Sequence, residues 1–331
     1  MHRILGILVF SGSLLLAWLT MDFRQFADTP LDLPASGIQY TLEPGSSVAK
    51  LAGDLESAGI LENALYLRLL ARWDGLANRL QAGEYHIDTG ATPRTLLNQI
   101  VKGKVVSHVL MLVDGWTFRQ VMAAVNNHQA LKHTLESLSD KEIMRRLGHE
   151  GEHPEGRFFP DTYHFPYGTT DVAFLLRAYN AMERFIEIEW KMRDSGLPIK
   201  TPYEALILAS IIERETALPM ERPEIAGVFT RRLHKRMRLQ TDPTVIYGMG
   251  DAFDGNIRRS DLRTHTPYNT YMNQGLTPTP IALPSPDAIL AALHPAPGTS
   301  LYFVARGDGS HQFSDTLEEH NKAVRKYQLK K

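Results

Sequence analysis

Two carboxylates, Glu213 and Glu215, follow a mainly apolar run from Ala205 to Ile212. A carboxyl group held in apolar surroundings keeps its proton toward neutral pH, and a protonated carboxylic acid can serve as a general acid. The question is which of the two faces such surroundings. Thr201 reads as an N-cap, Pro202 suits the first helical position, and Glu204 completes a T-x-x-E capping box. Pro219 stops the helix shortly after Ala217. At about 100° per residue, Ser210, Glu213 and Arg214 gather into the one polar sector. Glu215 points elsewhere, between the directions of Leu208 and Ile211. It also lies near the helix C-terminus, where the macrodipole disfavours negative charge. Burial and dipole both raise the expected pKa of Glu215. The alternative is a helix that frays early and leaves Glu215 solvated.

The flanking segments supply further candidates. Gln240 and Thr241 precede Asp242-Pro243, which reads as a turn with Asp242 as N-cap and Pro243 at the first helical position. Polar groups beside an apolar helix can line a cleft, and plain capping accounts for them equally. Residues 268–271, Y-N-T-Y, put Asn269 and Tyr271 next to a Pro-rich loop at 275–281. Rings stack on sugar faces and amides bond hydroxyl and N-acetyl groups, although such a loop can also simply pack against the core. A helix from Pro223 to Arg238 ends in Arg231, Arg232, His234, Lys235, Arg236 and Arg238. These cations read as a solvated, dipole-matched end or as an attractor for anionic polymer. His149-Glu150-Gly151-Glu152-His153 matches the H-E-x-x-H zinc signature. That chemistry needs both histidines on one helical face. Gly148, Gly151 and Pro154 argue against a helix there, so no metal and no cofactor is expected.

These residues need a scaffold, and composition bounds it. The chain has 331 residues, 43% hydrophobic and 22% charged, enough for two modest globular domains. A net charge of −1 gives no pull toward nucleic acid. With no cysteine, disulfides, thiolate nucleophiles and Cys-ligated zinc are excluded. Residues 4–21 carry no charge, long enough for a membrane span, with Arg3 before them and Asp22 after. The positive-inside bias places residues 1–3 in the cytoplasm and the rest outside. Thr20-Met21-Asp22 is a poor cleavage site, which favours an uncleaved anchor over a signal peptide. Residues 22–36 read as an acidic, proline-bearing tether. A strand, Gly turn, Ser/Thr cap and helix then recur three times, the helices reading 48–57, 93–101 and 118–125. The expected organisation is a small α+β module over 37–105 and a larger α+β domain over 106–331.

The order E-x-E-T (213–216), F-x-x-R-L (229–233), M-R-L-Q-T-D-P-T-V-I-Y-G (237–248), Y-N-T-Y (268–271), G-L-x-P-x-P-I (275–281), H-P (294–295) and Y-F-V (302–304) resembles the endolytic murein transglycosylase (MltG, YceG-like) family. Glu155-Gly156, residues 159–163, 44–46 and 82–85 match as well. The resemblance covers essentially the whole chain. It implies a LysM-like module near the membrane and a catalytic α+β domain beyond it. It implies a lyase that cuts the β-1,4 bond between N-acetylmuramic acid and N-acetylglucosamine inside peptidoglycan strands and leaves 1,6-anhydro ends. The implied partners are peptidoglycan glycan strands, the inner membrane and penicillin-binding peptidoglycan synthases. The family's catalytic acid is the second Glu of E-x-E-T, here Glu215. Thr279 and Ser285 stand where the family loop has Gly, which alters backbone freedom there.

One acid suffices for the implied reaction. Glu215 protonates the glycosidic oxygen through an oxocarbenium-like transition state, and its carboxylate then takes the proton of the C6 hydroxyl. Glu213 is expected to be supportive, since it shares a sector with Arg214. Two rivals stay open: a water-using muramidase with Asp242 or Glu221 as base, and a membrane-tethered glycan-binding protein without turnover.

Overall fold

A computed structural model describes residues 2–329. Met1, part of the expected cytoplasmic tip, lies outside the described residues. The chain divides into two compact units, residues 1–108 with 164–168, and residues 109–163 with 169–331. Both mix helix and strand.

The first unit begins with α1 (His2–Asp28) and continues through β1 (Ile38–Leu42), α2 (Val48–Ser57), α3 (Ala64–Trp73), β2 (Gly83–Ile87) and α4 (Pro93–Val101). β1 and β2 pair antiparallel from Ile38↔Ile87 to Leu42↔Gly83. The helix starts follow the caps: Ser47, Asn63 and Thr92 each accept a backbone N–H from the first turn. Leu51, Leu55, Leu67, Leu70, Leu96 and Ile100 fill the core. Gly83 holds a positive φ of 150° where a Cβ would lie 2.4 Å from Val105 Cγ1. Residues 22–36 differ from the expected free tether. α1 runs on to Asp28, and Ala27 and Leu31 are buried in this core. The tether reading missed that Phe23, Phe26, Ala27 and Leu31 supply enough apolar surface to dock. The apolar part of α1 buries none of its side chains and is long enough to cross a membrane.

The strand β3 (Ser107–Met111) leads to α5 (Phe118–Asn127), β4 (Leu131–Lys132), α6 (Asp140–Arg146), β5 (Thr162–Pro166), β6 (Thr169–Thr170) and α7 (Asp171–Met192). Then come α8 (Pro202–Glu215), α9 (Arg222–His234), α10 (Asp242–Met249), α11 (Pro286–Leu293), β7 (Tyr302–Ala305), β8 (His311–Ser314) and α12 (Leu317–Tyr327). In the second unit, β4 pairs parallel with β6, and β7 pairs antiparallel with β8. The centre of this unit is α8. Every residue from Ala205 to Ile212 is buried, and α7, α9, α10 and α11 all pack against it. A helix that is apolar nearly all round must be sheathed by others.

The details around α8 correct several expectations. Its polar sector is only partly in water: Arg214 is exposed, but Ser210 and the Glu213 side chain are enclosed. Ser210 is fully buried, donates to Ile207 O at 2.7 Å and accepts from Ile281 N–H at 3.0 Å. The capping box is half-formed: Thr201 accepts from Glu204 N–H, but Glu204 reaches Lys200 N–H. The basic end of α9 is not simply solvated. Arg231 donates to Ser300 O and Ala296 O, and Arg232 donates to Leu301 O and Leu239 O. Forked guanidinium donors tie α9 to the β7 approach, because buried carbonyls need partners. α10 is capped at Thr241, not Asp242. The H-E-x-x-H segment follows the end of α6 as turns, with Gly148 and Gly151 at φ 83° and 88°. His149 stacks on Tyr179, with ring centroids 3.8 Å apart.

Candidate active site

The last residue of α8, Glu215, lines a cavity of about 510 Å³ with Gln240, Asp242, Tyr271, Tyr302 and His311. Several elements converge to form it, α12 among them through His320, Asn321 and Val324. The end of α8 brings Glu215, the segment before α10 brings Gln240, the first residue of α10 is Asp242, the loop after α10 brings Tyr271, and the β7–β8 hairpin brings Tyr302 and His311.

Glu215 as a residue is half-buried, and burial is the largest influence on its carboxyl proton, pushing the pKa up from 4.5. Thr241, His311 and Arg232 pull in the other direction, and Asp242 adds to the rise. One carboxyl oxygen, Oε2, accepts the Thr241 hydroxyl at 2.5 Å. Thr241 makes no side-chain cap on α10; its hydroxyl is turned to Glu215 instead. Thr241 is itself buried, with its N–H on Thr270 Oγ1 at 3.1 Å. An acid that is fixed by a hydrogen bond and lines a cavity can pass a proton to a bound group.

The Glu213 side chain is only 6% exposed. It is fully partnered there. Arg222 reaches it at 2.9 Å, Ser285 N–H donates to it at 3.0 Å, and Ser285 Oγ donates to it as well. Helical direction separates the two glutamates, and in the fold Glu213 is enclosed in an ion pair with Arg222. Glu213 has a guanidinium within ion-pair distance, whereas the nearest partner of Glu215 is the neutral Thr241 hydroxyl.

Gln240 faces the cavity with a backbone φ of 53°, an uncommon conformation for a residue with a Cβ. Such strain persists where neighbouring structure holds it, and it gathers at functional sites. Asp242 accepts the Tyr271 hydroxyl at 2.6 Å on the cavity wall. Asn269 is not part of that wall. It is buried, its amide donates to Asp261 O, Leu262 O and Thr264 O, and its Oδ1 accepts Tyr271 N–H. Asn269 shapes the loop that presents Tyr271, so the amide foreseen as a cleft group acts one step back.

Sequence reasoning missed His311. It lies in the β7–β8 hairpin, far along the chain from Glu215. Its ring Nδ1 is 2.8 Å from Glu221 Oε2, its N–H donates to Glu221 Oε1 at 2.8 Å, and Phe303 packs edge-on against the ring. Glu221 is therefore an anchor for His311. Burial raises its pKa, but the hydrogen bonds from His311 and Thr216 outweigh that and hold it below 4.5. No local motif announces a histidine delivered by strand pairing. The x-G-x-G-x-H turn, Gly307 to His311, is the one signal that could have been read.

A profile of the YceG-like family matches residues 40–326. A Bacillus subtilis (strain 168) protein named endolytic murein transglycosylase is 31% identical over 309 residues, covering 88% of this chain and 84% of the relative. A Streptococcus pneumoniae (strain ATCC BAA-255 / R6) protein of the same name is 26% identical over 360 residues. There the match covers 97% of this chain and 64% of the relative's own length. The crystal structure of a yceG-like protein from Listeria monocytogenes superposes with a TM-score of 0.57 at 29% identity, over 87% of this chain and 99% of that one.

Proposed function

The chain belongs to the YceG-like family, and from that premise we propose that it is a lytic transglycosylase that cuts inside peptidoglycan strands with Glu215 as its acid. The observation that carries this reading is a carboxyl with a burial-raised pKa, held at one oxygen by Thr241 and facing a cavity lined by hydroxyl, amide and aromatic groups. Protonated Glu215 donates to the glycosidic oxygen as the bond to C1 of the muramic sugar breaks. Charge develops at C1 as in other glycosidic cleavages. The C6 hydroxyl then closes on C1, its proton passes to the Glu215 carboxylate, and the 1,6-anhydro end forms without water. Gln240, Tyr271 and His311 supply hydrogen-bonding groups and a ring edge for the sugars.

A water-using muramidase is the second reading. It is favoured by one observation, that Asp242 shares the cavity with Glu215 and could act as base. Mass spectrometry of digested murein separates the two. Anhydro ends, lighter by one water than reducing ends, support the lyase; reducing ends overturn it. Glu215→Gln should abolish both products, and undiminished cleavage by that variant would remove Glu215 from the chemistry.

The remaining features fit the same reading. α1 acts as a single-pass membrane anchor with the catalytic unit on the periplasmic side. The β1-α2-α3-β2 order is read as a LysM-like module that meets glycan. Cleavage next to penicillin-binding synthases would end nascent strands.

A further inference from the structure

The third helix of the first unit carries a second apolar face that its own core does not use. Leu67, Leu70 and Ala71 turn inward and are completely buried. Leu65, Leu69 and Trp73 remain 54%, 43% and 84% exposed. Their four-residue spacing lines them along one stripe of α3. Arg68 and Arg72 are exposed beside that stripe, and neither makes an ion pair among the described residues. Leucine and tryptophan flanked by arginine is the composition of a helix that lies in a lipid–water boundary.

The position of α3 relative to α1 gives that face its partner. The uncharged run of α1 ends at Met21. Tyr66, on α3, donates to Asp22 at 2.7 Å and packs edge-on against Phe23 and Phe26. At about 1.5 Å per residue, all three contacts fall within about 8 Å of the end of the run along the helix axis. Tyr66 and Trp73 are seven residues apart, so they project from the same flank of α3. The last residue of the stripe, Trp73, therefore shares the flank that meets α1 just beyond its apolar run, with Leu69 and Leu65 about 40° and 80° further round.

We propose that Leu65, Leu69 and Trp73 of α3 rest on the outer surface of the membrane that α1 crosses, with Arg68 and Arg72 meeting anionic lipid phosphates. The proposal rests on the reading of α1 as a membrane anchor. Its consequence is that the first unit is not a loosely tethered bead: it lies against the bilayer.

The chain has no cysteine, so single-cysteine variants can carry a nitroxide spin label without other changes. Full-length protein bearing Leu14→Cys, Leu69→Cys, Trp73→Cys or Asp308→Cys is placed in vesicles of three parts phosphatidylcholine to one part phosphatidylglycerol. Collisions with oxygen and with a water-soluble nickel chelate are then measured. The expected result is high oxygen and low nickel access at 14, 69 and 73, and the reverse at 308. Arg68→Glu with Arg72→Glu should at least double nickel access at 73. If 14 reports lipid while 69 and 73 report water, the α3 face is overturned and the anchor stands. If 14 reports water, the anchor fails and the proposal with it. Low access to both reagents at 69 and 73 would mean that protein or glycan covers the face, which also overturns it.

Discussion

The pair Glu213 and Glu215 shows how two like residues acquire opposite roles two positions apart. Glu213 neutralises Arg222 where both side chains are under 10% exposed. Removing one member of a buried pair strands the other charge, so Glu213→Ala should cost about 3–5 kcal/mol in urea unfolding. A loss under about 1 kcal/mol would contradict a structural role. Glu215 should behave in the opposite way. Its raised pKa means the folded state binds a proton more tightly than the unfolded one. Between 4.5 and that raised value, stability therefore falls as pH rises. Glu215→Gln carries no charge to bury, so it should be no less stable than the parent at neutral pH while losing activity. A clear drop in melting temperature for Glu215→Gln would argue that its charge is used structurally.

At the scale of elements, the start of α10 brings Thr241 to the proposed acid. Thr241 gives its hydroxyl to Glu215 Oε2, a bond that favours the carboxylate and partly offsets the effect of burial. Thr241→Val keeps the shape and removes the donor, so the pKa of Glu215 should rise further. An acid works while protonated; the alkaline limb of the pH–rate profile should therefore move to higher pH. A limb that stays in place would disconnect Thr241 from the acid. The neighbouring backbone offers a second test. Gln240 sits at φ 53°, where glycine avoids a cost of about 1–2 kcal/mol. Gln240→Gly should keep or raise the melting temperature yet reduce kcat/KM about tenfold or more. Unchanged turnover would make the strained residue a passive turn.

On the scale of the whole molecule, a second enclosed carboxyl links distant parts of the catalytic unit. Glu155 accepts Phe118 N–H at the start of α5 and the Tyr247 hydroxyl on α10, at 2.8 and 3.0 Å. Burial pushes its pKa from 4.5 to about 7, against the pull of those hydrogen bonds. The sign is the same as for Glu215: the folded state holds the proton longer, and stability is lost as pH rises from 4.5 to about 7. Urea unfolding across pH 4 to 8 should show that decline, and Glu155→Gln should flatten it. An equally steep decline in the variant would place its cause elsewhere.

Local information in the chain was enough for much of this. The capped starts of α2, α4, α5, α8 and α11 are legible because cap side chains bond N–H groups within three residues. The separation of Glu213 from Glu215 is legible because helical periodicity is a property of the sequence. The surroundings of those helix faces were not legible. The partner of Glu213 is nine residues away and its second is seventy-two, so the pattern of α8 alone does not show the ion pair. His311 enters the cavity through strand pairing, and Asn269 leaves it for its own loop. Spacing along the chain sets which way a side chain points. What it meets there depends on contacts between segments remote in sequence, and only the folded chain decides those.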